Sequence, residues 1–342
     1  DVISVLDGAM LETFALKRVY SKSAYPDPRY YINLDGGILR PTWGGQQWGD
    51  EDYTVDAVIV QEGGATLEVP AGQNFQWKVA FAAPTEKIIG SIALPTDAAF
   101  LAKQGQYIGP GKVTVSGSGY GAAAIALFDK KTRSLTGIKV VAKGTGYDEN
   151  TTVTVSDPWL SATYTCPVTL VDAPTTGVGF VKRGAGQYEF NKPNTYHGKT
   201  VVEGGTLKFV ADSSLPSGSG LSVEEGATAD LYNHTFTVPT LEGAGTVKNG
   251  SLTVTDTVTL LMQMNATLTV AETLTLADGA TIALTGSVAD LDEMKRNVLC
   301  AAKKIVCAGT VNLPELPEGW KIVIRGNNLC VSKQRGMALI VR

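Results

Sequence analysis

Residues 251–284 read SLTVTDTVTLLMQMNATLTVAETLTLADGATIAL, and they contain the clearest structural signal in the chain. Ten large aliphatic residues, from Leu252 to Leu284, fall on even positions, and threonines fill odd positions between them. Successive side chains of a β-strand point to opposite faces, so this pattern predicts strands with one aliphatic and one hydroxyl-bearing face. A helix would scatter the same aliphatic residues around its circumference. We therefore predict β structure across this stretch.

Two segments within this stretch are near copies of each other, LTVTDTVTL at 252–260 and LTVAETLTL at 268–276. Each keeps an acidic residue, Asp256 or Glu272, at the point where the alternation skips one position. Such a skip is typical of a bend between two short strands. Internal repetition of this kind favours a repeat architecture.

A second recurring pattern is a glycine pair, or a glycine and a small residue, followed by leucine, isoleucine or threonine. It occurs at 36–39, 63–67, 204–207, 226–228, 250–252 and 279–281. Apart from the long interval between residues 67 and 204, neighbouring occurrences are separated by about 21 to 29 residues, which is the length of one solenoid coil. Glycine at a coil corner permits positive φ and close approach of the next coil. A β-sandwich would also show short strands and turns, so this spacing alone leaves that alternative open.

The composition excludes several classes of protein. The chain has 342 residues, of which 44% are hydrophobic and 18% charged, so it can bury a substantial core and does not resemble a disordered chain. A net charge of −4 provides no electrostatic footprint for nucleic acid or an anionic membrane surface. The longest apolar run, residues 122–128, is far shorter than the roughly 20 residues of a spanning helix. We predict no nucleic-acid partner and no membrane insertion.

Residues 182–210, KRGAGQYEFNKPNTYHGKTVVEGGTLKFV, resemble the autotransporter-associated β-strand (passenger-associated) repeat. The matching positions are a Lys-x-Gly-x-Gly opening, an Asn-x-Tyr-x-Gly-x-Thr centre and a Gly-Gly-Thr-Leu end. They are Lys182, Gly184, Gly186, Asn194, Tyr196, Gly198, Thr200, Gly204, Gly205, Thr206 and Leu207. His197 stands where the repeat usually has a small hydroxyl residue. The resemblance implies a secreted, right-handed parallel β-helix in which each repeat supplies about one coil.

Residues 105–156 resemble the Gly-x-Gly-Tyr repeat of bacterial surface and fibre proteins. The two turns are Gly117-Ser118-Gly119-Tyr120 and Gly144-Thr145-Gly146-Tyr147, each between β-branched segments. We interpret this region as a small β module inserted into the solenoid. A phosphate-binding glycine loop is the alternative for the first turn, but it lacks the P-loop lysine and a following helix.

The C-terminal region resembles the end piece that follows such repeats in large secreted bacterial proteins. Trp320, Ile322 and Ile324 alternate before a turn at 325–328, which predicts a β-hairpin. Residues 290–304 are compatible with a helix, whereas 298–302 are compatible with a strand, and both interpretations stay open. The predicted units are solenoid coils with a cap at 1–94, the inserted module at 95–172, further coils at 173–286 and a β-rich cap at 287–342.

Four cysteines, Cys166, Cys300, Cys307 and Cys330, lie in apolar or β-branched surroundings. None forms a Cys-x-x-Cys pair, so we predict no metal site and no cofactor. We expect buried, hydrophobe-like cysteines. A disulfide among the last three stays open for an oxidising compartment.

Polysaccharide lyases and hydrolases often use parallel β-helices, and glycosidases need two opposed carboxylates. The acidic clusters at 50–52, 224–225 and 290–293 lie in glycine-rich or charged contexts that are typical of solvated turns. The only histidines, His197 and His234, are expected on turns or outward faces, and no nucleophile elbow is present. We predict no catalytic residue and a protein that is not an enzyme, with a polysaccharide lyase or glycoside hydrolase as the alternative.

An aromatic segment at 41–53 is the better candidate for ligand contact. Trp43, Trp48 and Tyr53 lie there in a polar, glycine-rich context. Such rings can stack on sugars or anchor a protein interface. The alternative is that the two tryptophans cover the end of the core beneath their own loop.

The two ends of a solenoid need a cap or another chain, because their backbone edges and apolar core are otherwise open. We predict that the apolar ends serve this purpose, as internal caps or as surfaces for stacking and strand exchange. The residues are Val2, Ile3, Val5 and Leu6 at the beginning, and Leu339, Ile340 and Val341 at the end.

These observations together predict an all-β, right-handed parallel β-solenoid with an inserted β module and a C-terminal cap. We expect a structural or adhesive protein, secreted to a bacterial cell surface, whose partner is a second copy of itself in an end-to-end fibre. If Asp1 is a natural terminus, a secretory leader has been removed. The alternative is a protein that binds or degrades polysaccharide, with a surface glycan as its partner.

Overall fold

The computed structural model describes residues 1–16, 22–24, 29–42, 52–157, 159 and 161–334. Within these ranges the alternating stretch at 251–284 forms two long strands and the beginning of a third. Asp256 and Glu272 lie inside the two continuous strands, where the chain passes from one face of a solenoid to the next. The half of the first strand before Asp256 pairs with one neighbour, and the half after it pairs with another. The skipped position in the sequence therefore marks a corner, as predicted.

Strands β1 to β8 form the first coils. Their bounds are Val2–Leu6, Met10–Thr13, Tyr31–Asp35, Gly37–Pro41, Ala57–Val60, Ala65–Glu68, Asn74–Trp77 and Phe81–Ala82. Strands β9 to β15 follow, at Lys87–Ile92, Lys112–Ser116, Tyr120–Asp129, Ser134–Thr145, Thr152–Asp157, Ala162–Cys166 and Val168–Asp172, with a short helix at Ala98–Leu101.

Strands β16 to β27 continue the coils. They are Gly179–Arg183, Gln187–Phe190, Lys199–Val202, Thr206–Phe209, Leu221–Val223, Thr228–Asp230, Thr235–Gly243, Thr246–Lys248, Ser251–Met262, Leu268–Leu276, Thr281–Gly286 and Asn297–Cys307. A 3-10 turn at Val288–Asp290 precedes β27, and the hairpin strands β28 and β29 are Trp320–Arg325 and Asn328–Lys333. The segment at 290–304 is therefore mainly strand, not helix.

Parallel ladders along three faces make this chain a β-solenoid, as the sequence predicts. The first ladder runs β2, β4, β6, β16, β18, β20, β22, β24 and β26. The second runs β7, β17, β19, β21, β23, β25 and β27. The third begins with β1, β3, β5 and β8, and near the other end it uses parts of β22, β24, β25 and β27.

Inward-facing residues stack in register along each ladder and form one continuous core. On the first ladder, one buried row consists of Phe180, Thr200, Leu221, Leu241, Val258 and Ile282. Parallel pairing keeps like positions next to one another at each coil, so every coil extends the apolar column of the one before it. Five of the predicted corner glycines, Gly36, Gly64, Gly205, Gly226 and Gly279, have positive φ, which L-residues with a Cβ rarely adopt, whereas the predicted corner at Gly250 does not.

The inserted module has a hydrophobic core of its own, built from β9 to β15. Its first and last strands, β9 and β15, pair with each other in antiparallel fashion. The structure therefore places the start of the module at Lys87, ahead of the boundary at 94/95 that the sequence suggests. The solenoid likewise continues past 286, because β27 pairs in parallel with β25. The predicted hairpin at the C-terminal end is present as β28 and β29.

Candidate functional site at the N-terminal end of the solenoid

The first coil leaves part of the core open. Ile3 and Ile32 are register partners on neighbouring strands, and both face the core. Ile32 is fully buried, whereas Ile3 is 43% exposed. Among the described residues, Ile32 has a coil on both sides and Ile3 has one on a single side, which accounts for the difference in exposure. Within the described ranges, β1 and β2 each pair with only one neighbouring strand.

The other predicted residues of this end differ in their surroundings. Val5 is buried and belongs to the main core. Leu6 is 37% exposed, and Val2 is half-buried. Leu6 also lines a groove of about 610 Å³ together with Gly63. The residues predicted to serve the same purpose at the C-terminal end, Leu339, Ile340 and Val341, lie outside the described residues.

The C-terminal end of the solenoid differs from the N-terminal end. Trp320, Ile322 and Ile324 on one face of β28 pack against the main core, so the hairpin covers the last coil. The two ends are therefore not equivalent: one coil has partly exposed core residues and the other has a cap.

The predicted aromatic contact site is only partly described. Tyr53 is 40% exposed. Trp43 and Trp48 lie outside the described residues.

The inserted module folds back onto the first coils, a contact that the sequence analysis missed. The Asn33 side-chain nitrogen donates to the Gly121 carbonyl oxygen at 2.7 Å, and the Gln61 side-chain nitrogen donates to the Gly144 carbonyl oxygen at 3.2 Å. Gln61 also donates to the Asn33 side-chain oxygen at 3.1 Å. Both amides are buried. A lone asparagine within the aliphatic strand YINLD was the available signal, since a buried amide needs partners.

Lys182 is a buried charge on the main core. Its register partners, Leu67 and Val202, are apolar, and its own side chain is fully buried. The ammonium donates to three carbonyl oxygens, those of Arg183 at 3.1 Å, Gly184 at 2.7 Å and Gly204 at 2.9 Å. Burial lowers the pKa of Lys182 to about 8. A lysine with a lowered pKa is a candidate catalytic base. Here, however, all three N–H groups of the ammonium are hydrogen-bonded to carbonyl oxygens at the coil corners, so they stabilise the fold.

His234 has an acidic neighbour, but its geometry does not make a catalytic triad. Its Nδ1 lies 2.8 Å from the Asp212 Oδ1, and its Nε2 lies 3.0 Å from the Val210 carbonyl oxygen. In a triad the second nitrogen faces the nucleophile, and here a carbonyl occupies that position. The sequence predicts that both histidines lie on turns or outward faces, but in the structure each is only half-exposed.

The candidate carboxylates among the described residues lie at or near the surface, with Asp292 half-buried, while Asp50 and Glu51 lie outside the described residues. Glu224 and Glu225 occupy an exposed turn after β20, and Asp290 is exposed after β26. No group of three or more histidine, cysteine, aspartate or glutamate side chains suited to a metal ion occurs among the described residues.

The cysteines are free thiols. Cys166, Cys300 and Cys330 are buried, as expected, whereas Cys307 is exposed. Burial raises the pKa of Cys166 to about 11 and that of Cys300 to about 12. The three buried thiols are therefore poor nucleophiles.

No helix in the described part of the chain has the length and apolar character needed to cross a membrane. Comparisons with protein-family models, curated proteins and solved structures found no match to this chain.

Proposed function

We propose that this protein is a structural, adhesive β-solenoid of a bacterial cell surface that assembles end to end. The exposure of Ile3, a core-facing residue whose register partner Ile32 is fully buried, is the observation that supports this proposal best. An aliphatic side chain that faces a core is stabilised when a further layer covers it. A second copy of the chain can supply that layer.

The two ends of the molecule differ, so a contact between them is head to tail. A head-to-tail contact that does not close into a ring generates an open filament. Edge strands such as β1 and β2 favour this outcome because their free backbone groups can pair with a strand of another chain. Secretion and the bacterial surface rest on the resemblance of residues 182–210 to the passenger-associated repeat.

The test compares three proteins, the wild type, Ile3→Lys and Ile125→Lys. Ile125 lies on the inserted module and is 50% exposed, so it matches Ile3 in residue type and exposure. We expect oligomers that grow with concentration and filaments in electron micrographs for the wild type and Ile125→Lys. Ile3→Lys should stay monomeric with an unchanged circular dichroism spectrum. A wild type that remains monomeric by light scattering at high concentration, without filaments, would refute the proposal.

A further inference from the structure

The outer face of the C-terminal hairpin contains a concentration of positive charge. Strand β28 alternates between residues that pack on the core and residues that point away from it. Lys321 and Arg325 belong to the second set, and both are exposed. They line a surface cavity of about 460 Å³ together with Arg296, which comes from the segment before β27.

Hydrogen bonds hold the opposite wall of this cavity in place. The Asn297 side-chain nitrogen donates to the Asp292 carbonyl oxygen at 3.0 Å and to the Val331 carbonyl oxygen at 3.4 Å. The Asp292 backbone nitrogen donates in return to the Asn297 side-chain oxygen at 3.0 Å. This bonding fastens residues 292–297 to β29, so Arg296 is held beside the hairpin.

Two further lysines line the cavity, and each has an acidic partner. Lys333 pairs with Glu293 at 2.7 Å, and Lys295 pairs with Asp292 at 3.2 Å. These two pairs are close to neutral. The charges of Arg296, Lys321 and Arg325 are therefore the excess at this surface, in a chain whose net charge is −4.

The positive wall continues beyond this cavity. Lys295 and Arg296 also line a neighbouring cavity of about 220 Å³ with Gln263 and Asn265. A ligand that uses both cavities needs an extended shape, with negative groups and with hydroxyls that can bond to amides and to Glu293. Among the described residues, few apolar side chains and no aromatic ring line either cavity, which disfavours stacked nucleic-acid bases.

We propose that this hairpin surface binds an anionic polysaccharide, one with carboxylate or sulfate groups on its sugars. Arg296 and Arg325 each have a planar guanidinium group that can donate two parallel hydrogen bonds to a carboxylate or sulfate. Lys321 adds a further positive charge to the same cavity. The site lies on the C-terminal cap and does not depend on assembly at the N-terminal end.

The experiment measures binding of the full chain to immobilised polygalacturonate, heparin, neutral dextran and DNA, and to phosphatidylglycerol vesicles. Each is measured at about 100 mM salt, near the physiological range, and at about 500 mM, well above it. We expect the wild type to bind one or both acidic polymers, to ignore dextran and to lose binding at the higher salt. The triple variant Arg296→Gln/Lys321→Gln/Arg325→Gln should bind about tenfold more weakly. The single variant Lys321→Gln should bind about threefold more weakly than the wild type. It keeps the test valid if the triple variant does not fold.

The matched control is Lys112→Gln/Lys130→Gln/Lys131→Gln, which removes three exposed positive charges from the inserted module. It should bind like the wild type. Polygalacturonate and heparin distinguish carboxylate from sulfate recognition. Equal loss in both triple variants, absence of binding to either acidic polymer, or tighter binding to DNA or to phosphatidylglycerol vesicles than to both polymers would overturn the proposal. Filament formation is scored separately, so its failure does not affect this result.

Discussion

The ammonium of Lys182 donates a 2.9 Å hydrogen bond to the carbonyl oxygen of Gly204, which belongs to the next coil. Two more carbonyl oxygens at the corner of its own coil accept the remaining protons. The lysine stem fills an apolar position in the core, and the charged end ties two glycine corners together. This arrangement gives a physical reason for a lysine two residues before the corner glycine Gly184.

Replacing Lys182 with methionine should destabilise the protein by about 3 kcal/mol. The methionine fills the core, but the partly buried carbonyl oxygens of Gly184 and Gly204 lose the lysine donor, at about 1–3 kcal/mol each, whereas the Arg183 oxygen keeps the Val69 N–H. Chemical denaturation measures the free energy of unfolding. Lys304→Met, at an exposed strand position, is the control and should change stability by less than about 0.5 kcal/mol. Equal effects of the two substitutions would contradict the structural role of Lys182.

The contribution of Lys182 to stability should increase with pH between 8 and 10.5. Its pKa is lowered to about 8 in the folded protein, while an unperturbed lysine titrates at 10.5. Between these values the unfolded chain binds more protons at this site, so the free energy of unfolding rises with pH. Below pH 8 the group is charged in both states and contributes no slope. The measurement is the difference in unfolding free energy between wild type and Lys182→Met from pH 7 to 10.5. A constant difference would show that the pKa is not lowered.

Alanine at Gly179 should destabilise the protein far more than alanine at Gly279. Both glycines have positive φ, at 105° and 81°. A Cβ at Gly179 would overlap the Lys199 carbonyl oxygen on the next coil, whereas a Cβ at Gly279 meets no described atom within 4 Å. We expect a loss of more than about 3 kcal/mol at the first position and about 1 kcal/mol at the second. Thermal unfolding of the two variants side by side tests this, and similar melting temperatures would contradict the close approach of the coils.

Removing the Asn33 side chain should loosen the module from the first coils. Asn33→Ala leaves the Gly121 carbonyl oxygen and the Gln61 amide without a shared partner, at a cost of about 2 kcal/mol. Hydrogen exchange should become faster at β11 and β12, with little change in β20 to β25. Asn150→Ala, at an exposed turn of the module, is the control. Unchanged protection of β11 in Asn33→Ala would show that the buried amides do not hold the module.

One of the four thiols should react in the folded protein. Cys307 is exposed, while burial covers Cys166, Cys300 and Cys330 and raises the pKa of each. Ellman's reagent should therefore label one cysteine quickly and four after denaturation. Cys307→Ser should remove the fast phase and nothing else. Fast labelling of two or more thiols in the native wild type would contradict the burial of the C-terminal cysteines.

Local sequence was sufficient to predict the strands and their corners. Leu252 and Val254 alternate with threonines because one face of each strand is buried, and this period is visible without any knowledge of neighbours. Gly205 and Gly279 mark corners because positive φ is a property of a single residue. The C-terminal hairpin was predictable for the same reason, since its turn and alternation lie within a few residues.

Sequence patterns did not determine where the module begins and ends. The first strand, β9, has the same local pattern as a coil strand. Its partner β15 follows it by more than seventy residues on the chain, so local sequence patterns do not reveal that the two strands pair. The same reason explains why β27 was ambiguous: its residues fit a helix or a strand, and parallel pairing with β25 selects the strand.

The sequence by itself determined a β-solenoid with glycine corners, because these features depend on the period and backbone freedom of nearby residues. Only the tertiary structure decided that Ile3 is exposed while Ile32 is buried, because that depends on how many coils lie on either side. It also decided that Arg296 and Lys321 share one cavity, since the path of the chain over the last coil brings them together. Contacts between distant residues follow from coil register, and coil register is a property of the whole fold.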